Sequence, residues 1–235
     1  MNDLIFKVLD HGFVQVVDKM GTDKTVVNSA RLSYSNHSFA EQDMTDKDLR
    51  LLGYLAEHKH LSPFRHCYVS FLIRAPEFVM RQWYKHAVGA SWFAEGNPDT
   101  PWNEASQRFK EVEPVFYEPY EWLAQNTENK QASGKPLHHE TQQVCHMVAG
   151  HAQRFAWEKY QELLLHGVSR EQARMVLPLN IYTTAQWTAS LQAIANFVKL
   201  RIASDAQTEI QLYASAISEG MFELFPHSWG VLMGV

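Results

Sequence analysis

Cys67, Val69, Phe71 and Ile73 share one parity in the run CYVSFLI, and Pro76 follows three residues later. A period of two puts these four side chains on one face of a half-buried strand. Proline has no N–H to lose at a helix start, so EFVMRQWYKH (77–86) is expected to leave the strand as a helix. A strand passing directly into a helix demands a sheet to pair with and helices to cover it. The opening residues supply more strand: Leu4, Phe6 and Val8 alternate, Asp10-His11-Gly12 turns the chain, and Phe13 to Val17 resumes an apolar run.

Helical spacing governs much of the rest. Thr45 is expected to cap a helix through His58 that buries Leu51, Leu52 and Leu55. A long helix is expected over 139–166, with Val144, Met147, Val148, His151, Phe155 and Leu163 as its buried stripe and Gly167 as its C-terminal cap. Ser169 with Gln172 reads as a capping box for a short helix reaching Met175, which Pro178 ends. Two further helices are expected over 184–203 and 206–224. Residues 22–44 read as polar and irregular, 88–109 as a long loop, and 125–137 as an exposed connection. No internal repeat or inter-domain linker interrupts residues 1–235. The expectation is a single α+β domain, with a mixed or antiparallel sheet packed on long helices.

Composition narrows the function classes. The 235 residues are 46% hydrophobic and 20% charged, as in a folded globular protein, and the net charge of −5 offers no global field for nucleic acid. No apolar run approaches the roughly 20 residues that span a bilayer. Two cysteines, Cys67 and Cys145, cannot build a disulfide framework. With an acidic N-terminal stretch unlike a signal peptide, the expected compartment is the cytoplasm.

Arg81, Arg108, Arg174 and Arg201 lie in stretches rich in apolar or small residues. A guanidinium near a core face needs an anion, either an internal carboxylate or a bound phosphate or carboxylate. The hexapeptide Asn103-Glu104-Ala105-Ser106-Gln107-Arg108 gathers a carboxamide, a carboxylate, a hydroxyl and a guanidinium. It could hold a phosphate and a sugar, or simply be a solvated helix start. The histidines match no zinc spacing, and no metal site is expected. Cys67 shares the strand's buried parity and Cys145 lies beside an apolar stripe, so neither suits a thiolate nucleophile. No Gly-x-Gly-x-x-Gly or phosphate-loop motif occurs.

In order along the chain, FVQVVDKMG, SARLSY, HLSPFRH, IRAPEFVMRQWYKH, NEASQRF, ARMVLPLNIYT and NFVKLR with AQTEIQLYA resemble the flavin-dependent thymidylate synthases over nearly the whole length. The resemblance implies an α+β homotetramer with active sites where subunits meet. It implies transfer of the methylene of 5,10-methylenetetrahydrofolate to C5 of dUMP, with FAD reduced by NADPH supplying the hydride, and no enzyme nucleophile. Carried over by motif, dUMP would contact Gln82, Glu104, Ser106, Arg108, Arg174 and Arg201. Arg201 and Ser106 would act at the reacting nucleotide. FAD would meet Ser33, Ser62, Lys85, His86, Asn103, Glu104 and Asn196, and His60 would face the folate and NADPH.

The departures cluster on the flavin side. The family's Arg-His-Arg reads Lys85-His86-Ala87 here, and extra residues around 92–101 lengthen the following loop. Arg65 stands where the family usually has Glu, and Ser190 and Gln192 stand where Asn and Arg are common. Arg65 could be a relocated cation for the flavin diphosphate. Trp92, Phe93 and Trp102 are expected as exposed aromatics compatible with an interface. Two other outcomes fit these departures: a flavin- and folate-dependent pyrimidine hydroxymethylase, or a non-catalytic nucleotide-binding paralogue.

Overall fold

The computed structural model describes residues 4–32, 43–86, 102–105, 114–129 and 132–235. The expected opening hairpin is present as β1 (Ile5–Val8) and β2 (Gly12–Met20), with Ile5 opposite Gln15. The run that begins at Cys67 becomes β3 (Tyr68–Pro76), whose inward side chains Val69, Phe71, Ile73 and Ala75 are all buried. As expected, the chain passes from Pro76 straight into a helix, α3 (Glu77–Trp83).

Three segments read as irregular or loop hold regular elements. The polar stretch after Gly21 contains a helix, α1 (Asp23–Arg31), started by a capping box between Thr22 and Thr25. Thr at the fourth position of that box replaces the usual Glu or Gln, which hides the signal. The loop over 88–109 includes a short strand, β4 (Trp102–Glu104); apart from Ala105 the rest of that segment lies outside the described residues, Trp92 and Phe93 included. The connection over 125–137 carries the hairpin β5 (Leu123–Gln125) and β6 (Ser133–Pro136). Gln142 fastens it, accepting from the Trp122 N–H at 2.7 Å and donating to the Trp122 and Leu137 carbonyls.

The Thr45-capped helix is α2 (Asp46–Glu57), which buries Leu52 and Leu55 and leaves Leu51 half-buried against the core. A 3-10 turn over Ser62–His66 follows. The long helix is α4 (His139–Leu165), ending at Gly167 with φ of +84°. Its period is as expected but its burial is not. Val144, Met147, Val148 and Phe155 are 52–61% exposed, and His151 is exposed too. After Ser169 comes α5 (Arg170–Ala173) and a 3-10 turn over Arg174–Val176. The Ser169 hydroxyl caps nothing; its carbonyl accepts from the Gln172 N–H instead.

Residues 184–190, expected as helix, belong to strand β7 (Tyr182–Ser190). The helix starts only at Leu191, as α6 (Leu191–Arg201), where the buried Ser190 hydroxyl accepts from the Ala193 N–H. The chain closes through α7 (Thr208–Leu224) and α8 (Pro226–Met233).

The main sheet runs β1-β2-β3-β7-β4 with every pair antiparallel, so the antiparallel alternative of the expected fold is the one formed. Helices α3, α6 and α7 pack on the sheet, and α8 joins α1, α2, α6 and α7 around the same core. Trp102 is not an exposed interface aromatic. It stacks on Trp187 at 5.5 Å and meets Trp83 edge-on at 5.9 Å, while Trp83 stacks on Phe197 at 4.5 Å. These rings seal β4, β7, α3 and α6 together, each pair adding on the order of 1 kcal/mol beyond burial.

A tight turn and a buried carboxylate set the other end. Gly21 adopts φ of +88°, and a Cβ there would meet the Cys67 Sγ at 2.7 Å. Only glycine allows β2 to turn into α1 so close to β3. Buried Asp48 accepts from Lys24 at 2.9 Å and from the Thr45 hydroxyl at 2.8 Å, and pairs with Arg31 at 2.6 Å. Burial alone would raise its pKa, but these partners outweigh it and hold the carboxyl at about 2. Asp48 thereby fixes α1 to the start of α2.

Candidate active site

Pro76 pairs with Tyr182 at the last position of the β3–β7 ladder, and this sets where α3 begins. The Glu77 N–H donates to the Ile181 carbonyl at 2.9 Å and the Phe78 N–H to the Leu179 carbonyl at 3.0 Å. On the far side of β7, Glu104 of β4 lies opposite Ala185, and its carboxylate accepts from the Thr183 hydroxyl at 2.7 Å. The Glu77 and Glu104 side chains therefore meet across the start of β7, in hydrogen-bond contact. Burial and then the Glu104 charge push the Glu77 carboxyl up to about 7, against the opposing pull of Arg81 and Arg174. The Tyr84 phenol is raised by burial and by the same two carboxyls.

A second group lies at the C-terminal end of α3. The Gln82 amide donates to the Gln207 side-chain oxygen. The Arg201 Nε donates to His86 Nε2 at 2.9 Å, and the imidazole stands edge-on over Phe197 at 5.0 Å. Burial and the Arg201 charge push His86 down to about 4. A neutral imidazole accepting at Nε2 holds the guanidinium in place without competing for its charge.

Of the residues assigned to flavin, Ser62 and Arg65 lie in the 3-10 turn before β3 and Asn196 on α6, whereas Lys85 and His86 follow α3 and Asn103 and Glu104 lie on β4. The Arg65 Nε donates to the Gln192 side-chain oxygen, and Gln192 and Asn196 are one turn apart on α6. Asn196 is exposed amid a helix of buried residues, and Ser62 and Lys85 are exposed as well. Hydroxyl, amide and guanidinium donors of this kind suit a ribityl chain and a diphosphate. Asn103 alternates with Glu104 on β4 and so points to the opposite face of the sheet. Exposed His60 joins Tyr54 and His58 in a ring cluster, with Tyr54 stacked on His58 at 4.1 Å.

Gln82, Glu104, Arg174 and Arg201 are thus gathered around α3, while Ser33, Ser106 and Arg108 lie outside the described residues. The arginine reading needs one correction. Arg81 and Arg174 are exposed and Arg201 is half-buried, so none faces the core as expected. Four neighbours went unread in the sequence: Glu77, Tyr84, Thr183 and Gln207. Glu77 and Arg81 stand at the i, i+4 spacing of a helical pair, a local signal, whereas Thr183 and Gln207 reach the site only through the fold.

The depressed His86 has a consequence for stability. Its folded value lies below the ordinary 6.5, so the unfolded chain binds the proton more readily. Stability is expected to fall as pH drops from about 6.5 towards about 4, and His86→Gln should lose part of that dependence in urea denaturation at several pH values. Identical pH profiles for the two proteins would contradict a half-buried, neutral His86.

Residues 15–227 match the family model described as thymidylate synthase complementing protein. A flavin-dependent thymidylate synthase of Thermus thermophilus is 40% identical over 227 residues, covering 96% of this chain and 77% of the relative. That of Thermosipho africanus is 37% identical over 221 residues, covering 94% and 90%. Among solved structures, the UMP/dUMP methylase PolB of Streptomyces cacaoi bound with 5-Br dUMP superposes with a TM-score of 0.81 at 28% identity, covering 97% of each chain. With a family model spanning most of its length and relatives matched nearly end to end, this chain belongs to the flavin-dependent thymidylate synthase family.

Proposed function

We propose that this protein converts dUMP to dTMP, taking the methylene group from 5,10-methylenetetrahydrofolate. FAD, once bound and reduced by NADPH, supplies the hydride that completes the methyl group. The observation that carries the reading is the grouping of Gln82, Glu104, Arg174 and Arg201 around one short helix, in a chain that matches the family over residues 15–227.

Each side chain has a task that its setting supports. Arg174, exposed and beside Glu77, takes the nucleotide phosphate together with Ser106 and Arg108. Arg201, steadied by neutral His86, stabilises negative charge developing on the uracil carbonyls and so makes C5 nucleophilic. Gln82 and Glu104 fix the nucleotide's orientation. Cys67 takes no part: burial and then the Asp23 charge push its thiol up to about 12, so no thiolate is present to attack the ring.

Ser33, Ser62, Arg65, Lys85, His86, Asn103, Glu104 and Asn196 would hold the flavin, with His60 towards folate and NADPH. Arg65, held by Gln192 on α6, is the cation that offsets the Ala87 departure. Arg65→Ala should weaken FAD binding about tenfold or more in a fluorescence titration, since a charge-assisted bond contributes about 1.5–3 kcal/mol. An unchanged FAD affinity would remove Arg65 from the flavin site.

The protein acts as a homotetramer in the cytoplasm. The solvent-facing Val144, Met147, Val148 and Phe155 of α4, with Met175, 78% exposed on the 3-10 turn that packs against α4, form an apolar surface suited to another copy of the chain. Light scattering should read four chains per particle, and a monomer at micromolar concentration would refute the assembly.

Anaerobic turnover of dUMP with 5,10-methylenetetrahydrofolate, FAD and NADPH tests the reaction, with the product read by mass. Thymidylate is expected. A product one oxygen heavier would make the protein a hydroxymethylase, and bound dUMP without product would make it a silent paralogue.

A further inference from the structure

Glu77 has no part in the chemistry described so far, yet it is held as firmly as any residue of the site. Its main chain is bonded to Ile181, and two residues further along β7 Thr183 holds Glu104. The two carboxyls meet from α3 on one side and β4 on the other. Two carboxylate oxygens cannot hydrogen-bond unless one carries a proton, because an ionised carboxylate has only acceptors. Glu104 already accepts from Thr183 and has the Tyr84 phenol beside it. Glu77 is half-buried, which favours the acid.

We propose that Glu77 is a positioning residue that shares one proton with Glu104 at neutral pH, and that nucleotide binding at this site is linked to that proton. The groups facing the pair are Arg81 from α3, Arg174 from the 3-10 turn and the Tyr84 phenol at the end of α3. With the proton shared, the two carboxyls and two guanidinia sum to one positive charge; with both carboxyls ionised they sum to zero. A dianionic phosphate at Arg174 favours the first state and holds the proton in place. The inference rests on the dUMP reading above. The elevated Glu77 value agrees with it, since the shared proton would leave near pH 7 in the empty site.

The test uses the flavin-loaded full-length protein and its E77Q variant. Calorimetric titration with dUMP, in buffers of differing ionisation heat between about pH 6.5 and 8.5, reads affinity and proton uptake together. The wild-type protein is expected to take up a fraction of a proton above about pH 7 and to lose affinity towards a limit of about tenfold per pH unit. E77Q keeps a neutral donor to Glu104, so it should take up no proton there and bind with an affinity independent of pH. Equal pH profiles or equal proton uptake in the two proteins would overturn the proposal.

If wild-type protein binds no dUMP at any pH, the nucleotide reading and with it the linkage are overturned. The shared proton is then decided without ligand, by the carboxylic-acid carbonyl band in the infrared difference between acid and alkaline protein. A band lost in E77Q upholds the shared proton, and its absence from wild type overturns that too.

Discussion

The nine-position pairing of β3 with β7 is the contact on which the site depends. Its last pair, Pro76 with Tyr182, starts α3 and so sets Glu77, Arg81 and Gln82. Its first pair, Tyr68 with Ser190, ends β7 where the Ser190 hydroxyl caps α6, the helix that carries Asn196 and Arg201. The outer edge of β7 receives β4 and with it Asn103 and Glu104. A slip of one residue in this ladder would turn every inward side chain outward, because the side-chain period is two. Phe71 and Trp187, directly paired and both buried, hold the register.

The charges on this frame fall into two groups with different physics. At one end of α3, the Glu77 and Glu104 carboxyls face the Arg81 and Arg174 guanidinia. At the other, a neutral imidazole fixes a guanidinium that keeps its full charge. The first arrangement suits a phosphate and the second a carbonyl oxygen that gains charge during reaction. Both groups meet α3, one at its start and one just past its end, although Arg174 comes from a 3-10 turn and Arg201 from α6.

Much of this was legible from local pattern. The period-two run from Cys67, the proline after it and the Thr45 cap each settle with neighbours close in sequence. The errors lie where distant contacts decide. TTAQWTAS alternates Thr183, Ala185, Trp187 and Ala189 on one face, yet its Ala and Gln favour helix, and pairing on both edges made it a strand. The α4 stripe has the right period, but the chain's own core does not cover it, a fact that periodicity cannot carry. Family motifs pointed to Glu104, Arg174 and Arg201, whereas the meeting of Glu77 with Glu104 needs the fold, since 27 residues separate them.

The most direct test is a crystal structure with dUMP and FAD bound. The account requires the phosphate on Arg174, the uracil carbonyls against Arg201, Glu104 on the nucleotide and the flavin along the Arg65 and Asn196 side of α6. A nucleotide seated away from α3, or a flavin that leaves Arg201 without a ligand, would contradict it.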